Sequence, residues 1–165
     1  MTLTLQDYED HRQMFARMQY NMDFGHAEAY AADFAEDGIF EVTGLPEEAK
    51  HSGRHEGRDA VIALVEQIYS RNLGHARHWL GNHVYTEKGE NHARVTSFIL
   101  IIRPGEAPQA GVTLTGIYND LLEKVDGSWV VKHRSVTADP QPQHSALQPT
   151  DVLVVRRDDY VAGRS

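Results

Sequence analysis

The feature that most constrains this chain is a change of hydrophobic period at Gly74. Before it, apolar residues recur at helical spacing; after it they alternate in long runs separated by turn signals. Over residues 5–24, Tyr8, Phe15, Met18, Tyr20 and Met22 predict a helix that Gly25 stops. An alanine-rich stretch, residues 26–35, predicts a second, short helix. Asp37-Gly38 then turns the chain into a strand over residues 39–43, followed by a loop containing Pro46. Val61, Ile62, Leu64, Val65 and Ile68 give residues 59–72 the broad apolar face of a third helix. Past Gly74, strands are expected over residues 78–86, 92–103, 112–125 and 128–138. Glu87-Lys88-Gly89-Glu90 and Asp126-Gly127 mark hairpin turns, and a loop over residues 104–108 joins the middle pair. Three helices before a meander of long strands predict an α+β domain, with the helices on one face of a curved sheet and a cavity between the layers.

The length of 165 residues fits one domain, residues 1–139, with residues 140–165 as a tail. Pro140, Pro142 and Pro149 interrupt regular structure there, and the tail is expected to pack on the domain or a neighbouring subunit through residues 152–155. The formal charge of -8 includes no run of Lys and Arg that would track phosphates, which argues against nucleic acid and anionic membranes as partners. With no cysteine, thiolate catalysis, iron–sulfur clusters and cysteine-ligated zinc are excluded. The N-terminus lacks a basic leader and an apolar core, and no segment is long enough to span a bilayer, so a cytoplasmic protein is expected.

Chemistry is suggested most clearly by Arg77-His78-Trp79-Leu80-Gly81-Asn82, the start of a strand, and by the upstream helix that carries Tyr20 and Asp23. Brought together, Asp23 would orient and charge-balance the His78 imidazole, which could take a proton at one atom and return it at another. Tyr20, three residues before Asp23, is the expected donor to a substrate oxygen, with Tyr30 and Tyr118 as weaker candidates. Strand alternation places His78, Leu80, Asn82 and Val84 on one face, so Asn82 would lie deeper on the same wall and bond a substrate oxygen. Phe98, Leu100, Ile102, Leu114 and Tyr118 are expected as core or cavity lining. In the last strand, only one of His133 and Arg134 can point inward.

Plainer roles compete for the same residues. Asp23 could cap the turn into Gly25-His26, His78 could be a half-buried strand residue, and Asn82 could bond nearby backbone. Arg58 and Asp59 suit the opening of the third helix. Among ten histidines, neither His51/His55 nor His75/His78 forms His-Glu-x-x-His or a facial triad, which argues against a catalytic metal. A Gly-x-Ser-x-Gly elbow, a phosphate-cradling glycine loop and a dinucleotide fingerprint are all missing.

In order and spacing, Tyr20-x-x-Asp23, Phe34-Ala35-Glu36-Asp37-Gly38, Gly57-Arg58-Asp59-Ala60, Arg77-His78-x-x-x-Asn82, Gly116-x-Tyr118-x-Asp120 and Gly127-Ser128-Trp129-x-x-x-x-Arg134 resemble the SnoaL-like branch of the nuclear transport factor 2-like superfamily. Within that branch the pattern is most similar to scytalone dehydratase-like and bile acid dehydratase-like proteins. The resemblance implies a cone-shaped α+β barrel, three N-terminal helices on a strongly curved mixed or antiparallel sheet enclosing a pocket. It also implies a homodimer or higher homo-oligomer and no cofactor, with Asp23 and His78 in the places of a catalytic Asp–His pair. The implied chemistry is dehydration, another elimination or isomerisation of a small hydrophobic cyclic or aromatic oxygenated molecule. Two other readings stay open: a non-catalytic binder of apolar ligands or dimeric scaffold, and the small subunit of a ring-hydroxylating oxygenase, whose early aromatic-rich pattern is not evident.

Overall fold

The computed structural model describes residues 2–45, 49, 51–104 and 110–139. The expected tail, residues 140–165, lies outside the described residues, as do residues 46–48 of the Pro46 loop and residues 105–109. The elements run α1 (Leu5–Asp23), α2 (Ala27–Ala31), β1 (Phe34–Thr43), β2 (Gly53–Glu56), α3 (Arg58–Asn72), β3 (Arg77–Lys88), β4 (His92–Pro104), β5 (Ala110–Val125) and β6 (Ser128–Ala138).

Local chemistry explains where the helices begin and end. Thr4 caps α1: its hydroxyl accepts from the Asp7 N–H at 3.1 Å, while the Asp7 carboxylate accepts from the Thr4 N–H at 2.8 Å. This reciprocal pair satisfies donors that a helix N-terminus leaves without partners. After α1, Gly25 adopts φ +74°, and a Cβ there would come within 2.7 Å of the Tyr69 ring, so conformation and packing both demand glycine. Arg58 opens α3 and donates two hydrogen bonds to the Phe34 carbonyl at 2.7 and 3.0 Å, which ties that helix to the start of β1.

The six strands form one sheet in the order β2-β1-β6-β5-β4-β3. β3 to β6 make the expected antiparallel meander, and β1 joins it parallel to β6, so the sheet is mixed. Among the described residues, β2 and β3 remain as edges. The expected barrel is therefore an open cone with the helices packed on its inner face. Met14, Phe15, Met18 and Met22 of α1 and Val61, Leu64 and Val65 of α3 are buried against Phe40, Val42, Ile99, Leu122 and Val131 of the sheet. Each such side chain contributes roughly 1.5–3 kcal/mol by leaving water. Among the described residues, no helix is long and apolar enough to cross a membrane.

Three differences from the sequence-based expectation have physical causes. The second helix is only five residues long, and β1 starts at Phe34, because a shift in the pairing with β6 between Phe34 and Ile39 absorbs the turn-like Glu36-Asp37-Gly38 within the strand. β2 was not expected: its Gly-Arg-His-Glu composition has no apolar alternation, yet it pairs with β1 from Ile39 to Val42. In β4 the parity is the reverse of that expected. Ser97 and Ile99 are buried on the inner face, whereas Phe98 is 54% exposed and shares the outer face with Leu100.

Candidate active site

α1 ends on Asp23 and β3 begins beside it, so two elements far apart in sequence deliver one polar pair. The Asp23 carboxylate accepts from His78 Nδ1 at 2.6 Å and from the His78 backbone N–H at 3.0 and 3.2 Å. Only 6% of either side chain is exposed. Because Nδ1 is committed to the carboxylate, Nε2 is the ring nitrogen left for other chemistry. The backbone bond fixes the strand to the helix end, so the carboxylate holds both the ring and its platform.

His78 lines a cavity of about 360 Å³ between the helices and the inner face of the sheet. Its buried end is made by Met22, Phe40, Tyr118 and Ile99, and its walls by Val42, Ile68, Ile101, Leu114 and Val136. The volume lies within the range of small-molecule pockets, and an apolar lining with a few polar groups is what such pockets present. Tyr118 is buried at 3% exposure, and that burial pushes its phenol far above the usual tyrosine range, so it stays a neutral O–H donor.

The structure brings some of the expected residues together and separates others. Asp23, His78 and Tyr118 converge. Tyr20 does not line the cavity: it lies two positions from both Met18 and Met22, roughly 200° around the helix from those buried side chains. It is 60% exposed, packs on Phe24 at 4.6 Å, and borders a separate groove whose lining also includes Asp23 and His78. Asn82 is likewise exposed, at φ +55° inside a register shift between Gly81 and Val84. The extra residue reverses the alternation, so His83, expected to face outward, turns inward to bond Ser97 Oγ at 2.7 Å and pack on Phe15. Phe98 and Leu100 stand on the outer face, and their neighbours Ile99 and Ile101 line the cavity instead.

Tyr30 is fully buried beneath the floor rather than in the wall, where its hydroxyl accepts from Arg134 at 3.3 Å. Of His133 and Arg134, it is Arg134 that points inward. Arg134 forms a two-bond ion pair with Asp120 at 2.7 and 2.9 Å, with no exposure on either side, and its guanidinium stacks 4.7 Å from the Tyr118 ring. The two charged residues of the Gly116-x-Tyr118-x-Asp120 and Trp129-x-x-x-x-Arg134 segments are thus partners that support Tyr118 from behind.

Sequence reasoning missed the polar residues at the open end of the cavity, His51, Arg71, Asn72 and Arg103. In the sequence His51 stands out only beside His55, and nothing local links residues of α3 and β4 to it. Among the described residues, no group of three or more His, Asp or Glu side chains is gathered in a way that could hold a metal ion.

Comparison with known proteins agrees with this architecture. No curated protein sequence matches the chain. Among solved structures, a scytalone dehydratase-like protein of Novosphingobium aromaticivorans is 30% identical, with a TM-score of 0.64 over 82% of this chain and 85% of that one. An NTF2-like protein with a cystatin-like fold from the same species is 21% identical, with a TM-score of 0.70 over 90% of each chain. Aln2 from a Streptomyces species is 20% identical, with a TM-score of 0.71 over 83% of this chain and 94% of that one. The last two share the fold. The SnoaL-like domain model matches residues 3–135, which contain every described element up to the middle of β6, and the chain belongs to the SnoaL-like domain family.

Proposed function

We propose that this protein is a cofactor-independent lyase or isomerase that acts on a small hydrophobic, cyclic or aromatic, oxygenated molecule through His–Asp general acid–base catalysis. The observation that carries this reading is the 2.6 Å Asp23–His78 bond at the wall of an apolar cavity, with the second ring nitrogen uncommitted. A pocket that only stored an apolar ligand would gain nothing from a buried carboxylate–imidazole pair, which costs desolvation. The likeness to a scytalone dehydratase-like protein points in the same direction.

In an elimination, His78 Nε2 takes the proton from the carbon next to a carbonyl, and the C–H electron pair moves toward the carbonyl oxygen. Tyr118, which lines the cavity with His78, donates to that oxygen as its charge grows, in the role expected of Tyr20 and Asn82. The enolate then re-forms its carbonyl and expels hydroxide from the β-carbon, which leaves as water with the proton His78 carries. Asp23 stabilises the imidazolium between the two steps and keeps Nε2 aimed at the cavity. In an isomerisation the same proton returns to a different carbon.

Incubation with a β-hydroxytetralone tests the reading. Wild type should release the aromatised naphthol, or in deuterium oxide exchange the α-proton of an unsubstituted tetralone, and His78→Gln should do neither. Binding of these ketones with neither reaction would return the cavity to the role of a ligand store. A cytoplasmic location and a homo-oligomeric state belong to the same proposal. The outer sheet face, with Trp79, Phe98, Val112 and Ile117 exposed, supports the latter, and light scattering on the purified chain checks it.

A further inference from the structure

The open end of the cavity differs in chemistry from its buried end. Arg71, in the last turn of α3, and Arg103, one residue from the end of β4, are both exposed and both line the cavity mouth. His51 completes the cluster, its Nδ1 accepting from Arg71 Nη1 at 3.2 Å. That bond assigns the proton to Nε2, leaving an N–H on the other side of the ring. Burial, and then the charges of Arg71, His55 and Arg103, hold His51 below the usual imidazole range, so it serves as a neutral donor and not a third cation.

A helix dipole accounts for a cation at the end of α3, as at any helix C-terminus. It does not account for Arg103, which arrives from a different element at the same opening. Nor does general surface charge, because the chain as a whole carries -8. Two guanidiniums gathered on one cavity mouth of an acidic protein form a local field for an anion, and their planar forks match a carboxylate.

We propose that Arg71 and Arg103 bind a carboxylate on the substrate, so that its apolar ring runs inward between the aliphatic walls and presents its reacting carbon to His78. The proposal rests on the reading of the cavity as a substrate pocket and narrows it to aromatic or alicyclic acids bound with the charged end outward.

The test compares naphthoate with naphthamide, which share a ring and differ in charge, by calorimetric titration of wild type, Arg71→Gln, Arg103→Gln, the double variant and His78→Gln. Naphthoate should bind wild type about tenfold more tightly than the amide, each single Arg variant should cut that preference to about threefold, and the double variant should abolish it. Naphthamide affinity should be the same for wild type and the three arginine variants. Both arginines are exposed, so the variants should fold; if Arg71→Gln perturbs α3, Arg103→Gln on the strand decides alone. Equal binding of acid and amide to wild type, or a preference that survives the double variant, would overturn the proposal. Because binding is read without turnover, a preference intact in His78→Gln separates this inference from the catalytic one. Failure of both compounds to bind would overturn this inference and the pocket reading together.

Discussion

Two buried carboxylates, one paired with a guanidinium and one with an imidazole, stand at the inner face of the same sheet, and the pairs differ in what they leave open. Asp120 and Arg134 are neighbours in register on β5 and β6, and every side of the pair is closed: two bonds join them, Tyr30 takes a third donor, and the rings of Tyr118 and Phe15 flank the guanidinium. Asp23 and His78 are nearly as well buried, yet one nitrogen of the imidazole is uncommitted and the ring borders a cavity. The first pair holds structure in place; the second has a valence available for chemistry. Burial of charge alone therefore does not mark a site, whereas burial with one unmet partner facing a cavity does.

The largest expected effect breaks the closed pair. Arg134→Met should cost about 3–5 kcal/mol of stability in urea denaturation, because it strands the Asp120 carboxylate without water or partner. A variant as stable as wild type would remove the basis for contrasting the two pairs. Opening the second pair should look different: His78→Gln should lower turnover of a dehydrated substrate on the order of a hundredfold or more while leaving the urea midpoint nearly unchanged. A large loss of stability with a small loss of rate would place His78 among the structural residues. Tyr118→Phe sharpens the link between the pairs, since its ring rests on Arg134 and its side chain lines the cavity. Turnover should fall on the order of a hundredfold, chiefly in kcat, as for loss of one oxyanion donor.

Acid should act on a buried group that belongs to neither pair. His11 is fully buried against Tyr85 and Trp129, and burial lowers its ionisation from the ordinary 6.5 to about 4. In the unfolded chain the ring gains its proton near 6.5, so the stability due to keeping it neutral is complete above that pH and drains away as pH falls toward 4. Denaturation midpoints measured across that window should decline with acidification, and His11→Asn should flatten the slope. The smallest effect is expected at Tyr20→Phe: a change within about 0.5 kcal/mol in stability, as at other exposed positions, and unaltered turnover. A large rate loss there would restore Tyr20 as the oxygen donor and count against Tyr118.

What could be read in the sequence follows the range of the interactions involved. Helices and long strands were legible because their apolar periods are local, and Gly25 and Gly74 punctuated them. Asp23 and His78 could be nominated from residue type and from the resemblance, but nothing in the sequence gives their 2.6 Å separation. Tyr20 falls outside the cavity because spacing from Asp23 fixes a position along the helix without saying which side the core occupies; Met18 and Met22 did say so. Asn82 and Phe98 misled because parity along a strand has no origin until a partner sets it. β2 was illegible because a short polar edge strand owes its structure to its neighbour. The Asp120–Arg134 pair had both members in view, and only the register of β5 against β6 joins them. The mouth arginines were invisible for the same reason, being brought together by the packing of α3 beside the sheet.

The extra residue at Asn82 changes the phase of β3. Up to Gly81 the even-numbered side chains enter the interior, and His78 reaches the cavity; past Asn82 the odd-numbered His83 and Tyr85 do, and they reach α1, until a second shift between Tyr85 and Glu87 sets Lys88 opposite the buried Ala93. One strand thus serves the cavity at one end and the helix at the other, with a left-handed residue as the hinge between reading frames. Such a strand should tolerate exchange of the Asn82 side chain for glycine or aspartate, and also its deletion, because Leu80, His83 and Tyr85 would then follow one another in plain alternation on the inner face. Deletion of Val84 should fail instead, since it would turn Tyr85 to water.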